Sequence, residues 1–148
     1  MKLGALGVIG ALALGGCISV DARGTTGALA CKPGETRQDV VQMVFGRNIG
    51  QTVGVSEDDF TRFLDEAVTP RFPDGLTVQE SQGRWLHNGV DYHEPGKVLT
   101  LILARPGDRA KVREVAAAYE ARFRQDAVLI IARPACVEFH MPAKPWSS

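Results

Sequence analysis

Apolar positions between Asp39 and Phe139 recur with two different periods, and the switches between them mark out the elements. From Asp39 to Arg47 they alternate: Val41, Met43 and Phe45 share one face, Val40, Gln42 and Val44 the other, as on a strand. Gly46 and Asn48 to Gly50 mark its exit. From Ser56 the spacing becomes helical, with Phe60, Phe63, Leu64, Ala67 and Val68 on one stripe. Ser56 is a good N-cap, and Glu57, Asp58 and Asp59 fill the first turn, where the helix dipole favours anions. Thr69 precedes Pro70, whose ring disfavours helical backbone before it, so the helix is expected to end there.

The run from Val68 to Val78 then turns the chain. Pro70 stops the helix, and Pro73, Asp74 and Gly75 supply turn chemistry. Leu76 and Val78 alternate with Thr77, Gln79 and Ser81, the pattern of a strand with one solvated face, and Gly83 marks a bulge or its end. Arg71 is placed to bind a ligand, to satisfy carbonyls at the end of the helix, or to pair with Asp74; the last two are the simpler roles. Together Pro70, Arg71, Pro73, Asp74 and Gly75 read as a structural joint that fixes the second strand. Arg84 to Gly96 is polar and holds Asn88-Gly89, a hairpin signal in a loop longer than the tightest turns. Lys97 to Ala104 is a strongly apolar strand. Asp108 caps a second helix that runs to about Gln125 on the stripe Val112, Val115, Ala116, Tyr119 and Phe123. A last strand covers Ala127 to about Phe139, interrupted by Pro134.

This order predicts an α+β fold, the ferredoxin-like βαββαβ pattern: a four-stranded antiparallel sheet in the order 4-1-3-2 with both helices on one face. The start of the first strand then lies beside the end of the last, where Cys31 and Cys136 can meet. In an exported chain such a pair favours a disulfide, which would add about 4–5 kcal/mol by closing so long a loop; the alternative is two unrelated thiols. The sheet face away from the helices carries Val40, Val44, Val98 and Ile102 with Gln42, Thr77 and Thr100. Half-apolar and open, it suits a homodimer in which two sheets close an α/β barrel, or a cover formed by residues 31–37 or by the C-terminal tail with Trp146.

The N-terminus changes the address. Met1-Lys2 is basic, Leu3 to Leu14 is an apolar run broken only by Gly, and small residues lead into Cys17, as in an export signal. Leu14-Gly15-Gly16-Cys17 resembles the lipobox of bacterial lipoproteins, which implies cleavage before Cys17 and its acylation, palmitate included. Several acyl chains give durable attachment to a membrane. The alternative is an ordinary secretory signal cut after Ala11-Leu12-Ala13. With Ile18 in place of Asp after the cysteine, the lipobox resemblance implies, in a Gram-negative cell, the periplasmic side of the outer membrane. The expected organisation is a signal peptide at 1–16, a lipidated Cys17 and tether to 37, a domain at 38–140 and a tail at 141–148. The 148 residues carry 17 basic and 17 acidic side chains with a net charge of zero and no charge block. That excludes nucleic acid as the main partner, since phosphate binding wants a concentrated basic patch.

Candidate chemistry gathers at one end of the expected sheet: Arg47, Arg84, Trp85, His87, His93 and Glu94, near the N-terminus of the first helix. Arginines beside a helix N-terminus suit an anion, and Trp85 suits a flat ring or sugar; the simpler reading is a solvated hairpin whose Trp caps the core. His87, His93 and Glu94 match no strong metal-ligand spacing, so no metal and no cofactor are expected. No Gly-x-Ser-x-Gly, phosphate-loop or dinucleotide pattern is present. The balance favours a non-enzymatic envelope module that binds an envelope protein or small ligand. The alternatives are an oxygenase- or isomerase-type enzyme on a dimeric α/β barrel and an assembly factor docking by a sheet edge.

Several runs together resemble a bacterial family. Phe45-Gly46-Arg47, the eleven-residue run Val68 to Val78 with its core Thr-Pro-Arg-Phe-Pro-Asp-Gly, Gly83-Arg84-Trp85, and Glu94 before the strand from Lys97 are similar to the domain of unknown function 3574. The resemblance spans roughly Cys31 to Phe139. It implies an exported protein, often a lipoprotein, and no established activity, so it carries over no catalytic residue.

Overall fold

The structure, a computed structural model, describes residues 29–141. The expected signal peptide, Cys17 and the tail from residue 142 lie outside the described residues. The chain order is β1 (Thr36–Gly46), β2 (Asn48–Ile49), β3 (Thr52–Val53), α1 (Glu57–Phe63), β4 (Thr77–His87), β5 (Val90–Leu103), α2 (Asp108–Phe123) and β6 (Leu129–Val137). The fold is α+β, an antiparallel four-stranded sheet with two helices.

The expected βαββαβ topology and its 4-1-3-2 order are corrected. Asn48–Ile49 pairs with Thr52–Val53 around Gly50, whose φ of 68° suits glycine, so the exit of β1 folds into a separate two-stranded ribbon before α1 begins. With these two strands inserted, the large sheet takes the order β4-β5-β1-β6 along the chain numbering. A second correction concerns Arg84 to Gly96. These residues are strand, not loop, because Asn88 (φ 51°) and Gly89 (φ 77°) make a two-residue turn that holds β4 and β5 in register from Thr77↔Thr100 to His87↔Val90. β1 stops at Gly46↔Gly96, so the end of this hairpin projects beyond the sheet as an arm.

One face of the sheet meets the helices. Val41, Met43, Phe45, Leu99 and Leu101 pack there against Phe60, Phe63, Val115, Tyr119 and Phe123. Phe45 sits edge-on to Tyr119 at 4.7 Å, and the Tyr119 hydroxyl donates to the Gly46 carbonyl at 2.8 Å. This bond satisfies a buried hydroxyl and ties α2 to the end of β1. Burial pushes the Tyr119 hydroxyl pKa upward, so it stays a neutral donor.

Helix α1 opens on a capping box in which Asp59 N–H donates to Ser56 Oγ at 3.1 Å and Ser56 N–H to Asp59 at 3.2 Å. Its last turn, Leu64–Val68, widens to π geometry, with Thr69 N–H reaching the Leu64 carbonyl at 2.8 Å. The helix ends at Thr69, as expected, although Thr69 keeps helical backbone as the C-cap before Pro70. Arg71 donates to the Ala67 carbonyl at 2.8 Å and pairs with Glu114 of α2, whereas Asp74 pairs with Arg105 at 2.6 Å. Phe72 is buried, and Gly75 takes a φ of 127°. Gly107, not Asp108, occupies the N-cap of α2; the Asp108 carboxylate folds back to accept the Arg105 N–H at 2.9 Å.

At the far end of the sheet Arg37 pairs with Cys136 across β1 and β6, and Cys31, just upstream, forms a disulfide with Cys136 across 105 residues of sequence.

Candidate functional site

Strand parity decides how the candidate residues are distributed. Along β5, Lys97, Leu99 and Leu101 face the helices, so Glu94, Gly96, Val98, Thr100 and Ile102 belong to the open face. The register then places Ser81, Gly83 and Trp85 of β4 and Val44 and Gly46 of β1 on that same face.

Arg47 does not join the others. Only 8 % exposed, it donates through Nε to the Val55 carbonyl at 2.8 Å and pairs through Nη1 with Glu57. Lys97 lies beside it, 5 % exposed, with its ammonium 2.6 Å from Glu57 and paired with Glu80. The ammonium also stands 5.8 Å from the Phe60 ring centre. Burial pushes the Lys97 pKa down, but the hydrogen bonds to Glu57 and Glu80 outweigh it and hold the pKa above its ordinary value. The bond from Lys97 correspondingly lowers the Glu57 pKa, with Arg47 adding to it. These groups pair with one another, and they fasten the start of α1 to the sheet.

Arg84 and His93 sit on the helix-side face of the projecting arm, where both meet Asp91; the His93–Asp91 distance is 3.2 Å. The bond from Arg84 lowers the Asp91 pKa. His93 and Glu94 are neighbours in one strand and so point to opposite faces, which rules them out as a shared metal-ligand pair. The His87 side chain lies outside the described residues. Glu35 stands beside Cys31 and Cys136, but sulfurs joined in a disulfide offer no thiolate to a metal.

Trp85 and Glu94 remain, and the structure brings them to one hollow of about 550 Å³ at the root of the arm. Trp85 stacks on Tyr92, directly opposite across the hairpin, at 5.5 Å and 8° between planes. Glu94 Oε1 accepts the Asn48 N–H at 2.9 Å, which lays the carboxylate along Gly46. Gly46, Gly96 and Ser81 form one row across three strands, with the Glu94 carboxylate over Gly46 and Ser81 Oγ beside Gly96. The link from Arg124 to Leu129 makes the far wall. Arg124 enters that link in left-handed backbone (φ 53°) as the C-cap of α2. A second hollow, about 580 Å³, opens at the other end of the same face among Thr36, Gln38, Thr77, Thr100, Ile102 and Phe139.

Asn48, Tyr92 and the Gly46–Gly96–Ser81 row are absent from the sequence-derived set. Tyr92 was legible in principle: a two-residue turn at Asn88-Gly89 places it opposite Trp85. The row was not, because it depends on register between strands distant in sequence. Among the described residues no helix is long and apolar enough to cross a membrane.

No curated protein matches the chain. Two solved structures of a phage SAM lyase share its fold. One, in complex with S-methyl-5'-thioadenosine, is 12% identical, with a TM-score of 0.53 over 76% of this chain and 97% of its own. The other, in the apo state, is 14% identical, with a TM-score of 0.52 over 77% of this chain and 100% of its own. At such identity the likeness concerns architecture alone. The family model described as "Protein of unknown function (DUF3574)" matches residues 40–139, from the middle of β1 to just past β6, and the chain belongs to that family.

Proposed function

We propose that the chain is an exported, lipid-anchored protein of the cell envelope whose folded domain is a non-enzymatic module for binding a small ligand or an envelope partner. The observation that carries the binding reading is the hollow at the root of the arm: an exposed indole beside a carboxylate held in place by a backbone N–H. Pockets of this size with a few fixed polar groups and an aromatic wall are the usual form of a ligand site. The export reading is supported by the Leu14-Gly15-Gly16-Cys17 run and by the Cys31–Cys136 disulfide, a bond that persists in oxidising compartments.

Two measurements test this. The Cys17→Ser chain is expected to leave the membrane fraction or remain unprocessed, and unchanged membrane partition refutes the anchor. In the mature chain carrying Cys17→Ser and Trp146→Phe, Trp85 is the only indole, and a low-molecular-weight extract of the envelope is expected to change its emission. An unchanged spectrum argues against a small-ligand site.

A second reading, an oxygenase- or isomerase-type enzyme on a dimeric α/β barrel, draws on the open sheet face, where Leu129 and Ile131 are exposed. The likeness to a lyase fold that holds a nucleoside also favours it. Light scattering decides between them: a monomer at high concentration removes the barrel, and a dimer with Leu129 at its interface favours it.

A further inference from the structure

We infer that the hollow at the root of the arm takes a neutral sugar ring, stacked on Trp85 and hydrogen-bonded by Glu94; this rests on the ligand-binding reading above. The floor comes first. Gly46, Gly96 and Ser81 lie in one row, and Gly83 lies opposite Glu94 in the next, so nothing longer than a hydroxymethyl group rises from these positions. The glycines are required there. A Cβ on Gly46 would stand against the Glu94 carboxylate, and one on Gly96 would lie 2.8 Å from the Phe45 carbonyl and 2.9 Å from Ser81 Oγ. The Glu94 carboxylate and Ser81 Oγ take up the room that the glycines leave, so a ring in the hollow rests on these two polar groups beside Trp85.

The wall is aromatic. Trp85 is 45% exposed, backed by Tyr92, and leans towards Gly83, where a Cβ would sit 3.9 Å from its Cζ3 atom. A Trp held on one side by a stacked ring offers its remaining surface as a rigid apolar platform with little entropy left to lose on binding. Glu94 supplies the polar group. Its Oε1 is fixed by the Asn48 N–H, and Oε2 has no partner among the described residues, so a pre-oriented acceptor faces the hollow. Ser81 Oγ lies in the floor beside it.

Charge selects the class of ring. Glu94, Arg124 and Asp126 line the hollow with charges of both signs, while Arg84, which also borders it, has its guanidinium paired with Asp91 on the helix-side face. A phosphate or carboxylate ligand would meet the carboxylates of Glu94 and Asp126, and a simple cation would meet Arg124. Hydroxyl groups donate and accept alike, so a ligand edged with them fits a wall that carries both acceptors and a donor cation. The combination of one apolar face and a hydroxylated rim describes a pyranose.

The mature chain carrying Cys17→Ser, labelled with ¹⁵N, is titrated with maltotriose and with chitotriose, with adenosine and choline as comparators. At least one of the two oligosaccharides is expected to shift the Trp85 indole N–H and the amides of Gly83, Glu94 and Gly96, saturating in the millimolar range. Trp85→Ala is expected to abolish the shifts, and Glu94→Gln to weaken binding about tenfold, the loss of one hydrogen bond to a charged group. If neither oligosaccharide moves these resonances, or the shifts survive Trp85→Ala, the inference is overturned. Binding of adenosine or choline in their place overturns the sugar and leaves the ligand-binding reading standing. Silence from all four probes together with silence from the envelope extract removes both.

Discussion

Two clusters of charged and aromatic side chains occupy the same end of the sheet, one sheet thickness apart, and they are opposites. On the helix side Arg47, Lys97, Glu57 and Glu80 are bonded to one another over the Phe60 ring. On the open side Glu94 and Trp85 are held by Asn48 and Tyr92 but keep an oxygen without a partner among the described residues and an exposed ring. The first cluster spends its hydrogen-bonding capacity on the fold, and the second leaves some of it for a ligand. The difference shows that residue type does not separate a structural charge from a recognition group; what separates them is which neighbours the backbone has already supplied.

The comparison breaks most severely where the two faces share a residue. Phe45 anchors the core beneath Gly46, touching Phe60, Phe63 and Tyr119. Phe45→Ala is expected to destabilise the domain by about 3–5 kcal/mol, read from the urea midpoint, because it leaves a cavity in a close-packed aromatic cluster. A loss below about 1 kcal/mol would mean that the core closes over the gap and does not hold the floor of the hollow in place.

The two glycines of the floor sharpen the contrast. Gly96→Ala drives a methyl group against the Phe45 carbonyl, which is backbone and cannot step aside. A cost of about 1–3 kcal/mol follows, as for other overpacked sites. Gly46→Ala meets the mobile end of the Glu94 side chain, so it should cost less while displacing the carboxylate from Asn48. Thermal unfolding reads the first effect, and the chemical shift of the Asn48 amide reads the second. Equal destabilisation by the two would show that Glu94 is as rigid as backbone.

The smallest effect lies in the pH dependence of the helix-side cluster. The lowered Glu57 pKa adds stability that is present above its ordinary value of 4.5 and lost as pH falls through the folded value. The raised Lys97 pKa adds stability that is present below 10.5 and lost as pH rises through the folded value. Lys97→Met is therefore expected to make the acid limb of a urea-midpoint profile shallower and to remove the alkaline loss that belongs to Lys97. An identical profile for wild type and Lys97→Met would mean that solvent already screens the pair.

Much of the fold was legible in the residues. Alternation from Val40 to Phe45 and from Val98 to Leu103, and the stripes from Phe60 to Val68 and from Val112 to Phe123, are local consequences of burying one face. The ribbon β2–β3 was missed because each of its strands has two residues, too few to establish a period. The arm was taken for a loop because its exposed strands carry polar residues on both faces, and only the tight turn at Asn88-Gly89 betrays them. Of the six candidate ligand residues, Trp85 and Glu94 face the main hollow, Arg84 lines it while paired with Asp91, Arg47 is buried, and His93 lies on the other face. A cluster drawn from one end of a topology could not resolve them, because adjacent strand residues separate by a full sheet thickness.

By itself the sequence determined the helices and the apolar stretches of the long strands, which cysteines can meet, and which family the chain joins. These depend on short-range periodicity, turn chemistry and local motifs. Only the tertiary structure decided that Gly46, Gly96 and Ser81 form one floor, that Asn48 fixes Glu94 upon it, and that Arg47 turns away into the core. Each of these is a question of register and facing between residues up to 50 positions apart, as for Gly46 and Gly96. Such pairings are set by the packing of the whole sheet against its helices, not by the residues on either side in sequence.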